Sequence, residues 1–149
     1  MSMRIFRREQ FLPRPRAEVF RFFETPENLA RLTPPRLGFE VLTPSPIRMR
    51  EGAVIDYRVR PLGFPQRWTT YIESYDPPRR FSDVQLRGPY SFWHHTHAFE
   101  DAPGGTKMTD EVRYILPFWP LGALAAPLIA AELGRIFDFR AKTVAALLR

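Results

Sequence analysis

All three histidines of the chain lie in one short stretch, Trp93-His94-His95-Thr96-His97-Ala98-Phe99. Imidazole titrates nearest to neutrality of all side chains, so such a cluster can anchor a ligand oxygen, act as a general base or bind a metal. On a strand, side chains alternate between faces, which puts His95 and His97 on one side with Trp93 and Phe99 and turns His94 the other way. Phe99 belongs inside, so His95 and His97 should look into the concave side of a sheet.

The strand that follows can be aligned by setting Phe99 opposite Met108, both being core residues. This register places His97 across from Asp110, His95 across from Val112 and Trp93 across from Tyr114. A buried carboxylate is costly unless it is hydrogen-bonded, so His97 and Asp110 are expected to be partners. The same parity sends Phe81, Asp83 and Gln85 inward from the preceding strand. Tyr57 and Trp68 face inward from earlier strands.

Three roles suit this polar stripe in an apolar interior. Asp83, Gln85, His95, His97 and Asp110 can form a satisfied network that only fixes strand register. The same groups can hold a hydroxyl or carbonyl of a hydrophobic ligand. A His97–Asp110 pair can also act as a catalytic base, the carboxylate setting the tautomer. His95 and His97, two apart on a strand, with Asp110 as a third ligand, also have metal-site spacing. Such pairs are common on strands without metal, so neither a metal nor a cofactor is expected. No serine-hydrolase motif, phosphate-binding glycine loop or dinucleotide fingerprint is present.

The positioning elements follow from periodicity. Arg4 to Leu12 alternates, with Ile5, Arg7, Glu9 and Phe11 on one side and Phe6 and Leu12 on the other. A short helix from Arg16 carries Val19, Phe20, Phe22 and Phe23. Thr25 as N-cap and Pro26 in the first turn open a second helix, which Thr33-Pro34-Pro35 stops. From Phe39 to Leu116 the texture reads as sheet, with strands over Ala53–Arg60, Gln66–Tyr75, Phe81–Arg87, Ser91–Glu100 and Thr106–Leu116. Asp101 to Gly105 reads as the last hairpin loop.

From Leu121 the period becomes helical. Pro127 is expected to mark the true start of this helix, because proline is tolerated in a first turn. Leu124, Leu128, Ile129, Leu133, Ile136, Phe137, Val144 and Leu147 form its apolar stripe, and Glu132, Arg135, Asp138, Arg140 and Lys142 its wet face. Between sheet and helix, Phe118 and Trp119 can gate a pocket opposite Gly63-Phe64-Pro65. They can equally cap the core, or dock on a membrane or on another subunit.

This order of elements, α+β with about seven antiparallel strands, two short helices after the first strand and a long C-terminal helix, resembles the helix-grip superfamily. That superfamily contains the START lipid-transfer domains, the Bet v 1 allergens and the polyketide cyclase/dehydrase group, together called SRPBCC proteins. The resemblance runs along essentially the whole chain. It is carried by Pro15-Arg16-Ala17-Glu18-Val19-Phe20, Pro26-Glu27-Asn28-Leu29, Trp68-Thr69-Thr70-Tyr71-Ile72, Asp76-Pro77-Pro78-Arg79-Arg80-Phe81 and Gly104-Gly105-Thr106-Lys107-Met108-Thr109-Asp110. It implies a curved sheet wrapped around the last helix with a small hydrophobic ligand inside. Cyclase members enolise polyketides in that cavity, so the His97–Asp110 pair has an enzymatic alternative. The expected ligand-binding set is Tyr57, Trp68, Asp83, Gln85, Trp93, His95, His97, Asp110, Tyr114, Phe118 and Trp119.

Composition narrows the classes further. The 149 residues fit one domain, 44% apolar and 14% aromatic. The net charge of +6 is almost wholly arginine, Lys107 and Lys142 being the lysines. These arginines are scattered rather than blocked, so nucleic acid is not the expected partner. The absence of cysteine rules out thiol chemistry and fits a cytoplasmic location. Behind Arg4 there is no apolar leader core, so no secretory signal is read. Pro117, Pro120, Gly122 and Pro127 interrupt the uncharged run from Tyr114 to Ala131, so no transmembrane helix is expected, and only peripheral membrane contact remains open. Monomer and homodimer are both compatible with the sequence.

Overall fold

In the computed structural model, which describes residues 2–149, the alternating segments assemble into one antiparallel sheet. The chain runs β1 (Arg4–Leu12), α1 (Arg16–Phe23), α2 (Pro26–Arg31), a 3-10 turn (Pro35–Leu37), β2 (Glu40–Val41) and β3 (Val54–Val59). A second 3-10 turn (Pro61–Gly63) leads to β4 (Gln66–Asp76), β5 (Arg80–Arg87), β6 (Phe92–Ala102), β7 (Gly105–Ile115) and the long α3 (Leu121–Leu147). The strand order β1-β7-β6-β5-β4-β3-β2 brings the first strand beside the last. This is the helix-grip architecture.

Two register shifts in the β4–β5 ladder, at Thr69/Thr70 and Ile72/Ser74, bend the sheet. One apolar cluster on its concave side joins Leu12, Val19, Phe20, Phe81, Phe99 and Val144. A second gathers Trp93, Val112, Tyr114, Leu133 and Phe137. Each such side chain contributes about 1.5–3 kcal/mol on burial, which offsets the entropy of ordering the long terminal helix.

Several sequence expectations need correction. Sheet does not continue from Phe39 to β3, because only Glu40 and Val41 pair with that strand. Thr43 ends the pairing: the Asp56 amide donates to its hydroxyl at 2.8 Å, and Pro44 and Pro46 beyond it have no amide to donate. Thr25 occupies the N-cap of α2, but its hydroxyl donates to the Arg21 carbonyl at 2.8 Å rather than capping. The last hairpin is tighter than read, because Asp101 pairs with Thr106 and Ala102 with Gly105.

The terminal helix differs most. It begins at Leu121, and Pro127 lies inside it, with its ring on an exposed face where the missing amide bond costs least. Buried positions are Ala126, Leu133, Phe137 and Val144, whereas Leu124 and Leu128 are 79% and 72% exposed. Spacings of seven, four and seven between the buried residues trace a single face, and the two leucines fall on another. No helix among the described residues is long and apolar enough to cross a membrane.

Candidate functional site

A cavity of about 190 Å³ lies between the concave sheet face, the α1–α2 pair and α3. Its walls are mainly apolar: Phe22 and Phe23 come from α1, Leu29 from α2, Ile72 from β4, and Leu133 and Ile136 from α3. These side chains face inward because each follows the inner period of its element. Trp68 and Trp93 meet edge to face, with centroids 5.1 Å apart, and line one end of the cavity. Tyr90 packs on Trp93 at 4.8 Å.

The polar stripe lies on β5, β6 and β7. The β6–β7 ladder has the expected register, with Phe99 opposite Met108, His97 opposite Asp110, His95 opposite Val112 and Trp93 opposite Tyr114. The hydrogen bonds do not follow that ladder. Asp110 Oδ1 lies 2.8 Å from His95 Nε2 and 3.5 Å from His97 Nδ1. His97 Nε2 instead bonds Asp83 Oδ2 on the neighbouring strand at 2.9 Å. The expected His97–Asp110 pair is therefore replaced by two pairs, His95–Asp110 and His97–Asp83.

Ring stacking explains the exchange. The imidazoles of His95 and His97 stack at 3.7 Å, and Phe81 stacks on the other face of His97 at 4.1 Å. With its ring held in this sandwich, His97 presents Nε2 to β5, and Nδ1 is buried without a hydrogen-bond partner.

Burial raises the Asp110 carboxyl, but the bond from His95 and the charges of His95, His97 and Arg140 outweigh it and hold it below its ordinary value. Asp83 follows the same balance, with His97 as its bonded partner. Burial, aided by His95, pulls His97 downward against the opposing pull of Asp83, so this imidazole is neutral at neutral pH. Burial also pushes the Tyr57 hydroxyl well above its ordinary range, so it stays protonated.

Asp83, His95 and His97 offer donor atoms within 4.8 Å of one another, the spacing of a metal site. The Nε2 atoms of both histidines, however, already bond carboxylate oxygens. Imidazole–carboxylate pairing accounts for this geometry.

Of the residues singled out from the sequence, Tyr57, Trp68, Asp83, Trp93, His95 and His97 line the cavity. Asp110 and Tyr114 are buried but stand behind that lining. Gln85 is a correction: its Nε2 donates to the Tyr90 carbonyl at 2.7 Å, and its Oε1 accepts from the Tyr90 amide at 3.1 Å. It pins the β5–β6 connection, and Tyr90 reaches the cavity in its place. Phe118 and Trp119 are corrections too, being 81% and 60% exposed and outside the lining; Phe64 is likewise exposed. Exposed and outside the lining, they neither gate the cavity nor cap the core, and Phe118 sits at a positive φ of 60°.

Arg140 was missed. Its charge puts it on the wet face of α3 by sequence, yet it lines the cavity, and its guanidinium stands over the Phe137 ring at 4.8 Å. Spacing carried the signal: Arg140 lies three residues after Phe137 and four before Val144, both buried, so it falls on the inner face whatever its charge. Burial lowers its guanidinium from the ordinary value, and Asp110, Asp83 and Tyr57 oppose that, but arginine remains protonated.

Comparisons with known proteins agree with the fold. The family described as polyketide cyclase / dehydrase and lipid transport matches residues 12–138. Among solved structures, the Zhui aromatase/cyclase from a Streptomyces species is 16% identical with a TM-score of 0.78, covering 99% of this chain and 94% of that one. A Thermus thermophilus protein is 19% identical with a TM-score of 0.75, covering 98% of this chain and 100% of that one. A Mycobacterium smegmatis protein is 18% identical with a TM-score of 0.70, covering 99% and 96%. No curated protein matches the chain.

Proposed function

Because the chain belongs to the polyketide cyclase / dehydrase and lipid transport family, we propose that it binds and carries a small hydrophobic molecule in the cavity between its sheet and its terminal helix. The observation that carries this reading is the cavity itself, open beneath α3 and lined mainly by aliphatic and aromatic side chains. Apolar walls with a few convergent polar groups are the general form of a small-molecule site. Trp68, Trp93 and Tyr57 supply flat faces for an unsaturated ligand. Asp83 and His95, which also line the cavity, supply hydrogen bonds that orient it.

A second reading, cyclisation or dehydration in the same cavity, is favoured by the two imidazole–carboxylate pairs and by the likeness to a structure named as an aromatase/cyclase. Burial of His97 Nδ1 weighs against His97 as the base, because that nitrogen has no exposed surface from which to take a substrate proton. Under this reading His95, held by Asp110, is the better candidate.

Filling the cavity tests carriage. A panel of apolar aromatic compounds should raise the Tm of the protein, and Ile136→Trp, which places an indole in the cavity wall, should abolish the rise while remaining folded. No shift with any compound, or an equal shift in the filled variant, would remove the carrier reading. Turnover of an enolisable substrate that is lost in His95→Gln would establish the enzyme instead.

A further inference from the structure

We propose that the molecule held in the cavity is an acidic amphiphile, with an apolar body against the aromatic wall and an anionic oxygen, such as a carboxylate, bound by Arg140. The inference deepens the carrier reading and rests on it. Arg140 is the one arginine that reaches the cavity lining among the described residues. Its Nε is fully buried and has no hydrogen-bond partner. The carboxylates close enough to act on it, Asp110 and Asp83, already bond His95 and His97 at 2.8 and 2.9 Å.

Arg140 as a whole is half-buried, but a guanidinium nitrogen buried with no acceptor leaves a charged donor unpaired, which is costly. A neutral ligand would displace cavity water and leave that cost in place. An anionic oxygen relieves it, since guanidinium and carboxylate match in a planar two-point fork. Phe137 supports the contact: its ring lies beneath the guanidinium at 4.8 Å, which leaves the in-plane N–H donors free of the ring. Tyr57 and Asp83 line the same cavity as Arg140 and supply further polar groups. The rest of the lining includes Phe22, Leu29, Ile72 and the two tryptophans, which fit a ring system or a short alkyl chain.

A matched pair of probes tests the charge alone. 2-Naphthoate and its neutral isostere 2-naphthamide are titrated calorimetrically into the wild-type protein and into Arg140→Met and Arg140→Lys. The wild type should prefer the acid by about tenfold, the margin of one charge-assisted contact. Arg140→Met should erase that preference, and Arg140→Lys should keep part of it. Equal affinity for acid and amide in the wild type overturns the inference while carriage stands. A preference unchanged in Arg140→Met also overturns it. Binding of neither probe, with no Tm shift from any apolar compound, removes the carrier reading and this inference together.

Discussion

Asp110 faces His97 directly across the β6–β7 ladder but hydrogen-bonds His95, with Oδ1 2.8 Å from His95 Nε2 and 3.5 Å from His97 Nδ1. Backbone pairing sets which residues are neighbours. Side-chain rotation decides which neighbours bond, and here the stacked rings send each imidazole to a different carboxylate.

A double-mutant cycle should therefore find Asp110 coupled to His95 by about 1–3 kcal/mol and to His97 by less than about 0.5 kcal/mol. Urea unfolding of Asp110→Asn, His95→Gln, His97→Gln and the two doubles measures both terms. Stronger coupling to His97 would reject the diagonal pairing.

Acid should weaken the fold in two stages. Folded His97 lies below its ordinary value of 6.5, so on acidification the unfolded chain takes up that proton first, and stability falls as pH drops below about 6.5. Folded Asp83 and Asp110 lie below their ordinary value of 3.8, so their contribution is complete above that value and is lost as pH falls through the lower, folded one. Urea midpoints should decline between about pH 7 and 5 and again below about pH 4. His97→Gln should flatten the upper stage, and a wild-type midpoint constant from pH 7 to 5 would contradict a neutral buried His97.

The orientation of α3 separates two leucines that look alike in sequence. Leu133 is 2% exposed and Leu124 79% exposed, so Leu133→Ala should cost about 2–5 kcal/mol and Leu124→Gln less than about 0.5 kcal/mol. Comparable losses measured by chemical denaturation would mean that the helix is turned differently.

Two glycines should respond in opposite directions to alanine. A Cβ on Gly105 would run into the Leu12 carbonyl oxygen, a backbone clash between β7 and the end of β1 that should cost about 2–4 kcal/mol. A Cβ on Gly134 meets nothing within 4 Å, and alanine there should add about 0.5–1 kcal/mol to stability by favouring the helix. Thermal melts of the two variants decide it: a Gly105→Ala protein as stable as wild type would reject the close β1–β7 approach.

Much of the fold was legible because local periodicity and turn chemistry are properties of adjacent residues. The inward parity of Trp93, His95, His97 and Phe99 is forced by the strand period once Phe99 is buried, and the short loop before Gly105 then leaves one register against Met108 and Asp110. The segment after Val41 was harder to read, because proline-rich chain alternates much as a strand does while offering no amides to a ladder.

What the sequence by itself determined was the face each strand residue occupies, the order of elements and the family to which they correspond. Only the tertiary structure decided that Asp110 belongs to His95, that Asp83 takes His97, that Gln85 is spent on Tyr90 and that Arg140 turns inward while Leu124 and Leu128 stay in water. The reason is physical: a period says which residues share a face, but whether that face meets protein, cavity or solvent, and which donor reaches which acceptor, depends on elements far along the chain. A charged residue on an inner stripe is read as wet until its surroundings are known, and the surroundings of Arg140 come from β3, β5 and β7.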